Sequence, residues 1–522
     1  MSNIKSSTLK KRYLTKLLAN LMGLAIMFVS TAIITRSLGP KAYGDFSFLN
    51  NFFIQLIPFF TFSTSIAFFT KLSQRNNEFG LVRFFRIISI IAFILLFLII
   101  VFSQTFKLNN FLWPEQSIYL VYLAAIFAIL TWIVSSLTQI SDALGITVST
   151  EIAKIIQRII GLFLISFLYY LHLIDIFNFY YYNYFILLLL IIAFVYLINR
   201  PDFNFTSGWC MGKKEFKKYY NEFYIYSKPL FFYSLIGLIV GLFDRWLLQK
   251  FGGSIQQGFF ELSLKIGAVC FIFTNASSQL ITREFSIAFG ENDLKEMKRL
   301  FRRYIPLLFS IASFLSCFIA VNASTVTNIF GGSQFASATV PIAIMAFYPI
   351  HQTYGQLSGA VFYASGDTKL YSKIGLIFMF VGLPISYFVI APVNFLGLNA
   401  GAIGLAIKFV VLQFIAVNVQ LYFNSKLLKL NFIKYLFHQL VIITYLILLS
   451  LLSKILLIKL ISYEVDGIIG FLCSGVVYST MVAMSVYFFP ILFGLNKTDI
   501  FNGVNCIKAY IYSFKKKNKK QV

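Results

Sequence analysis

The sequence is a succession of long apolar stretches, and this pattern restricts the chain to a fold that is solvated by lipid. A helix needs about 20 mostly apolar residues to cross the hydrocarbon core of a bilayer, and it satisfies its own backbone hydrogen bonds there. About fourteen runs meet this requirement, at 14–35, 46–70, 84–105, 118–140, 152–171, 179–198, 229–249, 258–281, 304–329, 339–363, 374–394, 399–423, 436–458 and 468–492. The sequence therefore predicts an all-α, polytopic integral membrane protein with about 14 transmembrane helices.

Composition excludes several other classes of protein. Apolar residues make up 59% of the 522 positions and charged residues only 12%, whereas a soluble domain is about half apolar and roughly a quarter charged. A globular cytosolic enzyme, a disordered protein and a secreted disulfide scaffold are thus all disfavoured. The five cysteines are scattered singly, so we expect neither a metal site nor a disulfide framework, and no cofactor is predicted.

The net charge of +25 is explained by where the basic residues fall along the chain. If the N-terminus is cytoplasmic, 35 of the 44 lysines and arginines lie in inner loops, tails or inner ends of spans. Five lie at the outer surface (Arg36, Lys41, Lys107, Lys250 and Lys459) and four within spans (Arg245, Lys265, Lys408 and Lys454). This asymmetry predicts cytoplasmic N- and C-termini and contact with anionic inner-leaflet lipid. It argues against nucleic acid as a partner.

An internal repeat divides the chain. Residues 36–46 and 250–260 share a base, two glycines and a phenylalanine at a shift of 214, and residues 136–147 echo 357–368 at a shift of 221. Two matches at similar shifts predict a six-plus-six duplication in which both halves have the same orientation. The predicted domains are an N-terminal six-helix bundle (1–200), a basic cytoplasmic linker (201–228), a C-terminal six-helix bundle (229–423), two additional transmembrane helices (424–495) and a basic cytoplasmic tail (496–522).

The repeated turns also carry a family resemblance. The pattern basic–x–x–Gly–Pro–x–x–Tyr–Gly at residues 36–44 resembles the polysaccharide-export branch of the multidrug/oligosaccharidyl-lipid/polysaccharide (MOP) superfamily, and within it the Wzx-type O-antigen and capsule flippases. Residues 244–258 and 366–369 are similar too, and span count and loop lengths agree over about residues 10–495. The resemblance implies two six-helix bundles around a central cavity, as in MATE transporters, located in the bacterial inner membrane. It implies an undecaprenyl-pyrophosphate-linked oligosaccharide as substrate, and it leaves contact with other polysaccharide assembly proteins open.

Ionisable residues within the spans are the candidates for function, because they usually face a cavity or a partner. We predict that the pyrophosphate-binding cations are Lys408, Arg245, Arg158, Lys154, Arg36 and Lys265. Candidates for ion coupling or ion pairing are Asp244, Glu261, Glu151 and Asp45. The cations outnumber the carboxylates, which favours an anionic substrate, and the planar guanidinium of arginine suits a diphosphate.

Two of these groups have alternative interpretations. Lys408 has no acidic residue within four positions, so it either pairs with a carboxylate of another helix or serves as a cavity cation. Glu261 and Lys265 are spaced i, i+4 and are expected to pair with each other, and pairing of Arg245 across to Glu261 is the alternative.

Three functions are consistent with these features. The leading hypothesis is a flippase that moves the lipid-linked oligosaccharide outward by alternating access, without enzymatic activity. A cation-coupled multidrug antiporter of MATE type would need unpaired carboxylates, for which Asp45 and Asp244 are the candidates. A membrane polysaccharide polymerase or ligase would need a large outer loop, and the predicted outer loops do not exceed about a dozen residues. The driving force stays open.

Overall fold

The computed structural model describes residues 9–75, 78–199, 211–461 and 467–499. Residues 201–210 of the predicted linker, with Cys210, and residues 500–522 of the predicted C-terminal tail, with Cys506, lie outside these residues. Every regular element in the described ranges is helical, as the apolar runs predict. The helices are α1 (Leu9–Phe60), α2 (Thr64–Gln74), α3 (Phe79–Thr105), α4 (Asn109–Leu112), α5 (Ile118–Ala143), α6 (Thr147–Tyr170), α7 (Ile176–Ile198), α8 (Lys213–Ala268), α9 (Ile272–Gly290), α10 (Leu294–Val321), α11 (Ala323–Gly331), α12 (Thr339–Met345), α13 (Tyr348–Ser365), α14 (Thr368–Ile390), α15 (Gly401–Leu427), α16 (Phe432–Ile461) and α17 (Ile468–Phe488).

Twelve helical stretches in the described residues are long and apolar enough to cross a membrane. Two of them, Met22–Phe60 and Phe231–Phe271, are 39 and 41 residues long, and each covers two of the predicted runs. Each bends between those runs at a glycine with positive φ, Gly39 in α1 and Gly253 in α8. The twelve stretches and the fourteen runs therefore describe the same apolar sequence.

Several predicted runs are interrupted in their interior. The run 46–70 contains a break, because α1 ends at Phe60 and α2 begins at Thr64 after two residues with positive φ. Pro58 lies just before this break, where its missing N–H removes a hydrogen bond of the last turn. The run 258–281 is likewise interrupted by the 3₁₀ turn Val269–Phe271.

The chain divides into two compact units. The first comprises residues 1–262, 330–338 and 379–408, and its core is formed mainly by aromatic and aliphatic side chains of α1, α3, α5, α7 and the first arm of α8. The second comprises residues 263–329, 339–378 and 409–522, with a core from α9, α10, α13, α15, α16 and α17. The boundaries of these two compact units differ from those of the predicted six-helix bundles. The bundle boundaries stay a prediction.

Candidate functional site

Lys408, the cation singled out by its isolation in the sequence, lies buried on α15 beside a carboxylate of α8. Its Nζ atom is 2.5 Å from Oδ2 of Asp244, and the two side chains are only 6% and 3% exposed. The other carboxylate oxygen accepts a hydrogen bond of 2.5 Å from the hydroxyl of Ser386 on α14. Three helices therefore meet at one buried ion pair. Of the two interpretations of Lys408, this arrangement corresponds to the one in which Lys408 pairs with a carboxylate of another helix.

Arg245, the neighbour of Asp244 in the sequence, forms a second buried pair within α8. Its Nη2 atom lies 2.8 Å from Oε2 of Glu261, beyond the bend at Gly253. Its Nη1 atom donates to Oε1 of Gln257 at 3.1 Å, and the guanidinium lies 4.7 Å from the ring centre of Phe260. The carboxylate of Glu261, expected to pair with Lys265 and with Arg245 as the alternative, thus pairs with Arg245.

Together these contacts form two ion pairs at the adjacent residues Asp244 and Arg245 of α8, and we call these four residues the α8 charge cluster (Asp244, Arg245, Glu261 and Lys408). Each pair is formally neutral, which offsets the desolvation of its members in a medium of low dielectric constant. An anion that enters this region can bind a cation only by competing with its carboxylate. The cluster therefore has the chemistry of an exchange site for acidic groups.

The two repeated turns contact each other directly. Gly39 has φ 70° and ψ 173°, and Gly253 has φ 70° and ψ −177°, so this glycine of the predicted repeat has the same backbone conformation in both copies. A Cβ atom on Gly44 would lie 1.7 Å from the carbonyl oxygen of Ser254, and one on Gly258 would lie 2.1 Å from that of Pro40. Backbones approach this closely only where glycine removes the side chain.

Asp45 follows this close contact and is held by donors from two other segments. Its Oδ1 atom accepts a hydrogen bond from Nε2 of Gln116 at 2.6 Å and another from the hydroxyl of Ser254. The backbone N–H of Ser254 donates in turn to the carboxylate of Glu115 at 3.4 Å. The two candidate carboxylates of an antiporter, Asp45 and Asp244, are thus both engaged by groups of this protein.

A second group of predicted cations lies on α6. Lys154 pairs with Glu151 at 2.8 Å, and its Nζ atom lies 5.9 Å from the ring centre of Phe194 on α7. The Nη1 atom of Arg158 donates to the backbone carbonyl of Ala19 at 3.0 Å. A Cβ atom at Gly23 would overlap this guanidinium. The side chain of Arg158 can therefore lie against α1 because residue 23 is a glycine.

The remaining two predicted cations are placed differently. Arg36 is exposed in the first arm of α1, three residues before its bend. Lys265 is half-buried at the end of α8, in the part that belongs to the second unit. Neither position tests a role in substrate binding, and both residues stay predictions.

Ion pairs also join the turn between α2 and α3 to the first arm of α8. The Nζ atom of Lys71 lies 3.0 Å from Oε1 of Glu222, which Arg75 also contacts, and the hydroxyl of Tyr219 donates to Glu78 at 2.7 Å. Burial alone would raise the pKa of Glu222, but the hydrogen bonds from Lys71 and Arg75 outweigh it and lower the pKa. A carboxylate with a lowered pKa in the folded state stabilises the fold above its ordinary pKa, and this contribution is lost as the pH falls through the folded value.

Sequence reasoning missed the neutral partners of these charges. Ser386, Gln257, Ser254 and Gln116 were not predicted, because an uncharged polar residue in a span has no distinctive pattern. Ser254 alone offered a signal, since it directly follows the repeated Gly253.

In sequence, this chain is only distantly similar to known proteins. No protein-family model matches the sequence. Capsular polysaccharide biosynthesis protein CapF of Staphylococcus aureus is 22% identical over 249 residues, which is 45% of this chain. The chain thus spans about 60% of the length of this curated relative.

Solved structures are similar over most of the chain. An inward-facing MATE family multidrug resistance transporter of the MOP superfamily superposes with a TM-score of 0.62 at 16% identity, over 77% of this chain and 95% of that one. The chain has the fold of the MOP superfamily. The lipid II flippase MurJ, in an inward closed conformation, gives a TM-score of 0.54 at 14% identity, over 91% of this chain and 98% of that one. The predicted MATE-like all-α class is confirmed.

Proposed function

We propose that this protein is a flippase that moves a lipid-linked oligosaccharide, joined to its lipid through a pyrophosphate, from the inner to the outer leaflet of the bacterial plasma membrane. The protein itself makes and breaks no covalent bond in this proposal. The polymer to which the glycan belongs, O-antigen or capsule, is suggested by the likeness to CapF and by the residues 36–44.

The extent of the structural match to MurJ carries the proposal. A match over 91% of the chain leaves fewer residues unmatched than the segment 424–495 contains, whereas the MATE match covers 77%. At least part of the segment 424–495, which contains α16 and α17, therefore lies within the region matched to MurJ. This observation favours a lipid-linked substrate over a small drug.

The α8 charge cluster supports an anionic substrate by an exchange mechanism. In the resting protein Asp244 neutralises Lys408, and Glu261 neutralises Arg245. A pyrophosphate carries more negative charge than one carboxylate and offers several acceptor oxygens, so it competes for both cations at once. Arg158, whose described hydrogen bond goes to a neutral carbonyl, provides a further contact for the same head group, and Lys154, Arg36 and Lys265 complete the proposed set.

The antiporter alternative is less well supported. A cation-coupled antiporter uses a carboxylate that is available to the ion or to the drug. Asp244 accepts from Lys408 and Ser386, and Asp45 accepts from Gln116 and Ser254. Both carboxylates therefore already have donors within the protein.

Reconstitution tests the proposal. Purified protein in vesicles that contain a fluorescent undecaprenyl-pyrophosphate oligosaccharide should expose the glycan to a reagent on the opposite side of the membrane. Lys408→Ala, Arg245→Ala and Arg158→Ala should each reduce the rate about tenfold or more, because each removes a charge-assisted contact to the head group. Lys295→Ala, an exposed lysine elsewhere, is the matched control. Full activity in all three variants would contradict the cationic site, and absence of transfer by the parent protein would contradict the flippase.

A further inference from the structure

A recess outside the α8 charge cluster combines an apolar wall with two cations. It lies between the start of α16 and the segment 488–497 that follows α17, within the second unit, and has a volume of about 760 Å³. Its wall includes Phe437, Val441 and Phe488, and Lys434 and Lys497 also line it. This volume is within the range of sites that bind small molecules, roughly 300–1,000 Å³.

The recess is a built feature of the fold. Nε2 of His438 lies 2.8 Å from the carbonyl oxygen of Leu492, which ties the segment after α17 to α16. The hydroxyls of Tyr445 and Ser485 lie 2.7 Å apart and join α16 to α17. A Cβ atom at Gly494 would lie 2.8 Å from the backbone N of Leu307 on α10. These three contacts connect the segments that form the wall of the recess to one another and to α10.

The charge at the edge of the recess is positive. Lys434 and Lys497 are both exposed, and the residues that the structure describes as lining the recess include no acidic side chain. The nearest carboxylate in the sequence, Asp499, is engaged by Arg303 at 3.1 Å and by the backbone N–H of Asn496 at 3.0 Å. Two lysines at the mouth of an apolar recess are complementary to a phosphate that is attached to a hydrocarbon chain.

A second recess in the described residues shows the contrast. It has a volume of about 460 Å³ and lies along α3, where its lining residues, such as Phe60, Leu98 and Phe102, are apolar except for Thr105. Such a surface accepts any hydrocarbon chain and selects no head group. Lysines distinguish the recess at α16.

We propose that the recess between α16 and the segment 488–497 binds an anionic phospholipid. The head-group phosphate lies between Lys434 and Lys497, and an acyl chain follows Phe437, Val441 and Phe488. Basic pockets between transmembrane helices on the cytoplasmic side bind acidic head groups in this way. The predicted orientation assigns the lipid to the inner leaflet, but binding itself does not rest on the flippase proposal.

Lipid titration of the delipidated full-length protein in detergent, followed by native mass spectrometry, tests this site. The parent protein should bind phosphatidylglycerol and cardiolipin more tightly than phosphatidylethanolamine. The double variant Lys434→Ala/Lys497→Ala should bind the anionic lipids about thirtyfold more weakly, given the usual contribution of a lysine at a membrane surface. The matched control Lys295→Ala/Lys373→Ala removes two exposed lysines of the same unit and should bind as the parent does.

Further arms keep the proposal open to refutation. Lys434→Arg/Lys497→Arg should retain binding, and Val441→Trp should lose it with both lysines present, because the indole obstructs the path of the acyl chain along Val441. Equal binding of phosphatidylethanolamine, or unchanged binding by the double alanine variant, would overturn the proposal. Displacement by millimolar inorganic phosphate would indicate a site for soluble anions, and preferential binding of undecaprenyl pyrophosphate would assign the recess to the transported lipid; either result overturns it.

Discussion

At the scale of single residues, the structure changes the meaning of the buried cations. Lys408 is isolated in the sequence but paired in space, with a carboxylate 164 positions away. Removing one member of a buried ion pair leaves an uncompensated charge and costs about 3–5 kcal/mol, whereas replacing both members by neutral residues is often nearly neutral. Stability and transport therefore respond differently to the same substitutions.

We expect Lys408→Met to lower the thermal stability of the purified protein strongly and Asp244→Asn/Lys408→Met to restore it close to the parent value. Transport should stay impaired in both variants, because the double variant lacks the cation that the head group needs. Thermal unfolding in detergent and the vesicle assay measure the two effects separately. A double variant that regains both stability and transport would show that Lys408 acts only as a counter-ion of Asp244.

This pair also marks the limit of what the sequence could predict. The i, i+4 rule detects partners on one helix, and it did not detect Asp244 for Lys408. Glu261 was named only as an alternative partner for Arg245, from which it lies 16 positions away. Residue types and depth in the spans are encoded locally, so the candidates could be named. Their partners depend on how helices pack, which no local pattern contains.

At the scale of elements, glycine sets the closest approach between the two repeated turns. The sequence did predict these turns, because a repeat at fixed spacing is a local signal. It did not predict that they touch, since contact between copies follows from tertiary packing. Gly44 and Gly258 each face a carbonyl oxygen of the other turn.

We expect Gly44→Ala and Gly258→Ala to lower both stability and transport, because the new methyl groups would meet backbone atoms that cannot rotate away. Gly237→Ala is the matched control, since its Cβ atom would lie 3.9 Å from the end of the Met379 side chain. Thermal unfolding and the vesicle assay again provide the measurements. Parent-like behaviour of Gly44→Ala would mean that the turns separate freely.

At the scale of the whole molecule, the distribution of basic residues predicts an orientation that labelling can check. In a cysteine-free background, Lys107→Cys should react with a membrane-impermeant maleimide in intact spheroplasts, because that residue is predicted to be outside. Lys373→Cys should react only after the membrane is permeabilised. The reverse pattern would refute cytoplasmic termini and, with them, the inner-leaflet assignment of the lipid recess.

The pairing of Asp244 with Lys408 has a consequence for synthesis of the protein. Ribosomes add about 5–20 residues per second, so the 164 residues between the partners take about 8–30 s to translate. During that interval α8 is made but α15 is not, and a lone carboxylate within a span is unfavourable by roughly 2.5–3.5 kcal/mol. Until the tenth of the long apolar stretches delivers this counter-ion, α8 either carries that cost or lowers it by protonation of Asp244.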